Sequence, residues 1–283
     1  PVVVVGNIMT GGTGKTPFVI WLANYLKNLG YKPGIISRGY GGRSKKYPLE
    51  VKKDTPVSIS GDEPVVIRNN TSCPVFVSPN RVEAAQQLLK SKDCNVILSD
   101  DGLQHYSLGR DIEIAVFDGS RGLGNGLFLP AGPLRESLER LKDVDYTVST
   151  TQHIESKKIE EDFVLKYKPI KWIRIYDDKE FDLDRWPLSR FIHGVAGIGN
   201  PEKFFRTLTM LNFKIIEHTY PDHYQFTIND LSFSEKFPII MTEKDAVRCR
   251  DMGMKNLWYL KVSLEVPGLL GEALVRKIKD ISK

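Results

Sequence analysis

"VVVVGNIMTGGTGKTPFVIWL", residues 2 to 22, decides how this chain is read. Val2 to Val5 are β-branched without interruption, so the strand they form has no polar face, the pattern of a central parallel strand. Gly11-Gly12-Thr13-Gly14-Lys15-Thr16 follows, and Pro17 stands just inside a helix start, where a missing N–H costs little. Phe18, Leu22, Tyr25, Leu26 and Leu29 then recur at helical spacing until Gly30 stops the run. Strand, glycine loop, lysine, hydroxyl and helix in this order make a phosphate-binding loop. Glycines let backbone N–H groups turn inward on phosphate oxygens. Lys15 reaches the β- and γ-phosphates, Thr16 offers a hydroxyl to Mg²⁺, and the helix N-terminus adds partial positive charge. Thr10, Gly11, Gly12, Thr13, Gly14, Lys15 and Thr16 are therefore the nucleotide-binding candidates. One residue departs from the usual spacing: Met9 stands where the loop's first glycine is expected.

Outward from that loop, "KPGIIS", "CPVFVS" (73–78), "NVILS" (95–99), "IEIAVFD" (112–118) and "DYTVST" (145–150) read as strands. Residues 80–91 read as a helix capped by Asn80. Strands alternating with helices predict an α/β, P-loop NTPase-like, mostly parallel sheet with helices on both faces. Residues 120–135 read as a long loop rich in Gly and Pro. Residues 153–185 turn Lys/Glu-rich with two weak strand patterns, which predicts a two-stranded β-hairpin linker. From 186 the alternation resumes: strand "RFIHGVA", helix "PEKFFRTLTMLN", strand "FKIIEHTY", a helix around 227–236, strands "FPIIMT" and "LWYLKV", and a last helix that is free to pack back on the first domain. The expected domains are 1–152, the linker 153–185, and a smaller C-terminal α/β domain over 186–283.

Hydrophobic residues make up 41% and charged residues 27%, a globular balance that argues against disorder. The net charge of +5 suits an anionic substrate or membrane surface and is too small to indicate a nucleic-acid partner. Cys73, Cys94 and Cys249 lie far apart and are odd in number, so neither a disulfide framework nor a zinc site is expected. No run of 18 apolar residues and no signal peptide is visible. The chain opens on Pro1 straight into a strand, which reads as a trimmed start.

Further candidates lie in loops after strands, where ligands bind in a doubly wound sheet. "NVILSDDGLQHY" supplies Asp100 and Asp101; neighbours on a strand point opposite ways, but a turn at the strand end can redirect one, so both suit Mg²⁺. Gln104 and His105 share that loop, and a simple Asp-Asp-Gly turn is the other reading. "SRGYGGRSKKY" carries Arg38, Tyr40 and Arg43. Asp62 and Glu63 stand just before a helix expected to open at Pro64; an acid there either takes a hydroxyl proton or caps the helix. Arg81 either steadies phosphate charge or is a surface arginine. His223, beside Asp222 in "YPDHYQF", either packs among aromatics or, close to Asp62, shares its proton. Guanine recognition fails twice: Thr242-Glu243-Lys244-Asp245 has its lysine one place late, and Ser99 stands where a switch aspartate belongs. ATP is the better ligand.

Together, "GNIMTGGTGKTP", "SRGYGG", "GDEP", "DDGLQH", "FDGSRGLGNGLFLPAGPLRE", "HGVAGIGNPEKFF", "PDHYQF" and "TEKDAVR" resemble the tetraacyldisaccharide 4'-kinase family, in order across nearly the whole chain. The Met9 loop opening is that family's form. The resemblance implies ATP- and Mg²⁺-dependent phosphorylation of the 4'-hydroxyl of a tetraacylated glucosamine disaccharide 1-phosphate, at the cytoplasmic face of the bacterial inner membrane. It implies an active site between two α/β domains, so that residues 1–152 would be the P-loop kinase domain. It makes Lys15 and Thr16 the loop lysine and hydroxyl, Asp100 and Asp101 the metal pair with Gln104 close by, Asp62 the general base, His223 its partner and Arg81 a stabiliser of the transferred phosphate. Arg38 and Tyr40 fall in a segment expected to touch the acceptor. The family's N-terminal transmembrane helix has no counterpart in this stretch. Leu123, Leu127, Phe128 and Leu129 either face lipid or pack under the sheet. The expected partners are the acylated lipid and an anionic membrane surface, for a monomer.

Two other classes fit the loop. One is a deviant P-loop partitioning or targeting ATPase, although Thr10 stands where such proteins carry a signature lysine. The other is a non-catalytic ATP-binding module.

Overall fold

The computed structural model describes residues 1–120, 122–150 and 162–281. Residues 151–161, which hold the expected end of the first domain and the start of the linker, lie outside the described residues. The chain forms two compact units, Pro1–Tyr167 with Leu264–Lys283, and Lys168–Ser263.

The first unit contains β1 (Val2–Gly6), α1 (Lys15–Asn28), β2 (Pro33–Ser37), β3 (Leu49–Val51), α2 (Val57–Ser60), α3 (Asp62–Asn70), β4 (Val75–Val77), α4 (Arg81–Ser91), β5 (Val96–Asp100), β6 (Ile112–Phe117), β7 (Tyr146–Ser149) and β8 (Phe163–Val164). Their sheet order is β3-β4-β2-β5-β1-β6-β7-β8, parallel throughout except for the edge strand β3. β1 sits between β5 and β6, with Val5 opposite Asp100 and Gly6 opposite Ala115. Both of its faces are covered, which is why it carries four valines in a row. On one face Ala84, Ala85 and Leu88 of α4 pack with Val4, Ile36 and Ile97. α1 buries Phe18, Val19, Leu22, Ala23 and Leu26.

The second unit holds most of β9 (Lys166–Arg174), then β10 (Lys179–Asp182), β11 (Phe191–Ala196), α5 (Pro201–Met210), β12 (Lys214–Thr219), β13 (Ile239–Thr242), α6 (Glu243–Cys249) and most of β14 (Leu257–Glu265). The sheet order is β10-β9-β14-β13-β11-β12; β9 and β10 form an antiparallel pair, and β14, β13, β11 and β12 run parallel. The last helix, α7 (Gly268–Ile281), belongs to the first unit. There Gly271 abuts the Tyr25 ring so closely that a Cβ would lie 2.7 Å from Cζ, and Lys277 pairs with Asp145.

Two local readings are corrected, and one helix is added. The helix expected around 227–236 is a single 3-10 turn, Asn229–Leu231. Asp230 accepts the Thr227 N–H and hydroxyl, each at 2.7 Å, and this local bonding displaces a helix. The helix expected to open at Pro64 opens at Asp62, because Gly61 takes φ +88° and turns the chain one step earlier. Residues 243–249 form α6, whose N-terminal amide at Asp245 is capped by Thr242 Oγ1.

Candidate active site

The carboxyl edge of the first sheet collects the chemistry. Gly14, at φ +95°, ends the glycine loop and leads into α1, which opens at Lys15. A Cβ on Gly14 would lie 2.6 Å from Thr150 Cγ2 and 2.8 Å from the Tyr167 hydroxyl, so only glycine fits. Met9 has a specific task. It is buried beside Leu123 and Leu134 and bridges the backbone of Leu134. Thr10 N–H donates to Pro133 O at 2.9 Å, and Arg135 N–H donates to Ile8 O at 2.7 Å. The opening half of the phosphate loop is thus pinned to the segment 133–135 rather than shaped by a glycine.

Asp100 is the last residue of β5, fully buried, with Ser37 Oγ 3.5 Å from its Oδ2. Asp101 takes φ +48°, a backbone that turns its side chain away from the strand. Lys15 Nζ lies 3.3 Å from Asp101 Oδ1, and Arg135 Nη1 donates to both Asp101 oxygens at 3.0 Å. Burial would raise the Asp101 pKa, but Lys15 and Arg135 outweigh it and hold the carboxyl below its usual range. Asp100 goes the other way: burial first, then Glu63 and Asp101, push it up to about 8 against Lys15 and Arg81. The Coulombic reach of Glu63 to Asp100 brings the start of α3, where Asp62 is buried, to the same edge. Asp62 Oδ1 accepts the Glu63 amide at 2.8 Å.

Arg81 opens α4 and is buried. Burial pulls its pKa down to about 10, Asp100 and Asp101 oppose that, and Arg38 adds to it. Its Nη1 donates to Ser78 O at 3.1 Å, and its backbone N–H donates to His105 Nε2 at 3.1 Å. Burial, Arg81, Arg110 and Arg38 in turn hold His105 below its usual pKa, consistent with an acceptor nitrogen. Arg38 therefore faces this edge. Tyr40 is exposed in a loop whose glycines pack backbone to backbone on residues 59–61.

Seven buried side-chain polar atoms make no hydrogen bond among the described residues, and five belong to this edge: Asn7 Nδ2, Thr13 Oγ1, Arg81 Nε, Ser99 Oγ and Asp100 Oδ1. Buried polar groups are ordinarily satisfied, so such a cluster marks a place for a polar ligand. Among the described residues no three His, Cys, Asp or Glu side chains converge as a metal cage. One buried carboxylate with an unpartnered oxygen fits Mg²⁺ shared with phosphate, since Mg²⁺ typically takes one or two carboxylates plus substrate oxygens.

The comparisons with known proteins agree along the whole chain. The sequence model of the family described as tetraacyldisaccharide-1-P 4'-kinase matches residues 1–279. This chain is a member of that kinase family. A tetraacyldisaccharide 4'-kinase from Hahella chejuensis is 43% identical over 99% of this chain and 82% of its own length. One from Nitrosococcus oceani is 46% identical over 100% of this chain and 82% of its own. A crystal structure described as the "apo" form of LpxK from Aquifex aeolicus in complex with ATP superposes with a TM-score of 0.80 at 28% identity, covering 98% of this chain and 88% of that one.

Of the kinase candidates named from sequence, the first unit gathers Lys15, Asp62, Arg81, Asp100 and Asp101 at one sheet edge. Gln104 is engaged elsewhere: its Nε2 donates to Asn7 O at 2.8 Å and to Glu136 at 2.5 Å, and its Oε1 accepts Arg135 at 3.1 Å. These bonds brace the loop. His223 belongs to the second unit, where its Nε2 lies 3.2 Å from Lys244 Nζ and 3.8 Å from Asp222. Asp245, the near-miss guanine reader, is wholly buried and bonded to Gly197, Thr242 and Arg248. Sequence reasoning overlooked Arg135, which lay in a quoted motif but whose partner Asp101 is 34 positions away. It named His105 without its partner Arg81.

Proposed function

We propose that this protein transfers the γ-phosphoryl group of ATP to the 4'-hydroxyl of a tetraacylated glucosamine disaccharide 1-phosphate, a step of lipid A biosynthesis. The observation that carries this reading is the meeting of Lys15, Asp100 and Asp101 with the Asp62–Glu63 helix start at one sheet edge, in a chain of this family. Such an edge suits phosphoryl transfer, which needs positioning and charge stabilisation more than covalent chemistry.

In this mechanism the glycine-loop amides and Lys15 hold the β- and γ-phosphates. Lys15 exchanges Asp101 for phosphate oxygen. Arg81 stays cationic at neutral pH and meets the charge that develops on the transferring group. Asp62 accepts the proton of the sugar hydroxyl, and His223 is assigned to assist that step. Thr16 and Asp100 would hold Mg²⁺, with Asp101 alongside. When bound, the ion neutralises phosphate charge.

The acyl chains remain in the bilayer at the cytoplasmic face, and the protein works there as a monomer. Among the described residues no helix is long and apolar enough to cross a membrane. Leu127, Phe128 and Leu129 are exposed and suit lipid contact, whereas Leu123 is buried and does not.

Labelled ATP incubated with the acylated disaccharide, followed by thin-layer separation, tests the reading. A phosphorylated lipid is expected, and Asp62→Ala or Lys15→Ala should abolish it in folded protein. Near-normal turnover in either variant refutes that residue's role.

A further inference from the structure

His223 has φ +62°, a left-handed backbone that a non-glycine residue holds only when its surroundings enforce it. What enforces it is visible within the second unit. The His223 N–H donates to Gly197 O at 3.2 Å. The Gly197 N–H donates to both oxygens of Asp245 at 3.2 Å. Arg248 pairs with Asp245 at 3.2 Å, donates from Nη1 to Tyr224 O at 2.7 Å, and reaches Gly197 O from Nη2 at 3.4 Å. Thr242 Oγ1 donates to Asp245 Oδ2 at 2.6 Å. The Asp245 and Arg248 side chains are wholly buried. The pair therefore grips the chain on both sides of His223, at Gly197 across the turn and at Tyr224 next in sequence.

We propose that the buried Asp245–Arg248 pair consists of positioning residues for the transfer, acting through His223; this rests on the reading that His223 assists Asp62. A buried ion pair is a poor source of net stability but a good source of fixed geometry when all its hydrogen bonds are made. Here Asp245 holds the Gly197 N–H and Arg248 the Gly197 and Tyr224 carbonyls beside one imidazole, while bonds to Thr242 and to Lys244 O seat the pair on α6. The neighbouring Lys244, 3.2 Å from His223 Nε2, then meets the ring at a set orientation. The lysine, aspartate and arginine of "TEKDAVR" are thus one device: α6 points Lys244 at the ring while Asp245 and Arg248 hold the backbone beneath it.

The test is a double-mutant cycle with ATP and the acylated disaccharide. Arg248→Lys keeps the charge and loses the forked grip; Asp245→Asn keeps the shape and loses the charge. Each is made alone and with His223→Ala. Because small misplacements of a reacting group cost up to about 100-fold, each single variant should lose about 10- to 100-fold in kcat with KM for ATP within about twofold. In the His223→Ala background the further loss should be under about threefold, and amide exchange at His223 should quicken in the single variants. Equal losses with and without His223, or unchanged kcat in Arg248→Lys, overturn the proposal. Should Asp245→Asn fail to fold, Arg248→Lys and its cycle decide alone. If His223→Ala by itself retains full kcat, it is the His223 role that fails, which the single variant reports separately.

Discussion

Lys15 Nζ rests 3.3 Å from Asp101 Oδ1, so the cation meant for phosphate already has a carboxylate partner, and Arg135 shares that carboxylate. The trio balances two positive charges against one negative, which leaves the edge ready for an anion. Removing the carboxylate charge by Asp101→Asn leaves two half-buried cations facing each other. The expected loss is about 1–3 kcal/mol of stability at pH 7. Asp101 titrates below its unfolded value of 3.8, so its contribution is present above that value and lost as pH falls through the still lower folded one. The gap between the thermal melts of the two proteins should be full at pH 7 and shrink as pH falls below 3.8. A gap that does not shrink contradicts the assignment.

Asp100 makes the opposite prediction. Its folded pKa, about 8, lies above the unfolded 3.8, so the folded state holds a proton that the unfolded chain releases. Stability from this group is complete below pH 4 and declines until about pH 8. Asn mimics the protonated acid, so Asp100→Asn should melt above the wild type by an amount that grows from pH 5 to pH 8 and then levels. In chelator, without nucleotide, the difference should reach at least a few degrees. A difference independent of pH would show that Asp100 is ionised throughout.

Gly61 joins α2 to α3 at φ +88°, and a Cβ there would lie 2.3 Å from Tyr40 O. Gly61→Ala must displace either the Arg38–Tyr40 loop or the first turn of α3, which carries Asp62. Turnover on the lipid should fall by an order of magnitude or more, given how steeply rate follows placement, while ATP affinity is spared. Loss of ATP binding with equal severity would mean that the turn serves the nucleotide.

Met9→Gly restores the usual P-loop spacing, yet it should weaken the protein. Met9 is 6% exposed and packs with Leu123 and Leu134. Truncating a buried side chain of that size costs about 2–5 kcal/mol, and glycine adds backbone freedom. ATP affinity should not improve. A variant as stable as the parent would show that the clamp from Leu134 does not depend on this side chain.

Met9 also marks where sequence reading stops. The strand, glycine loop and α1 were legible because their signals are local: β-branching, glycine spacing, helical periodicity. The family motifs marked Asp62, Asp100 and Asp101 by position. Arg135 and the Thr10–Pro133 bond were not legible, because the partners stand 34 and 123 positions apart and only the folded sheet unites them. Gln104 was placed near the metal pair by the family resemblance, but its bonds to Asn7 and to Arg135 and Glu136, in two other segments, were not legible. The misread helix at 227–236 failed because Thr227 and Asp230 close a turn that periodicity does not register.

The loop from Gly122 to Glu136 presents its apolar tip in a form built to be exposed. Leu127, Phe128 and Leu129 are 51%, 53% and 53% accessible, while Leu123 is 7%. Three backbone bonds brace that tip: Leu134 N–H donates to Leu127 O, Leu129 N–H to Leu134 O, and Gly132 N–H to Phe128 O. Apolar side chains on a braced turn suit a lipid headgroup region, where water still reaches the other peptide groups. Replacing all three by serine should leave the melting temperature nearly unchanged, because these side chains contribute little to the core. Partition onto anionic vesicles should drop at least about tenfold, from about 1 kcal/mol or more lost per side chain. Turnover on a short-chain, detergent-soluble acceptor should survive while turnover on the vesicle-embedded acceptor falls. Unaltered sedimentation of the triple variant with vesicles would remove this loop from the membrane-facing surface.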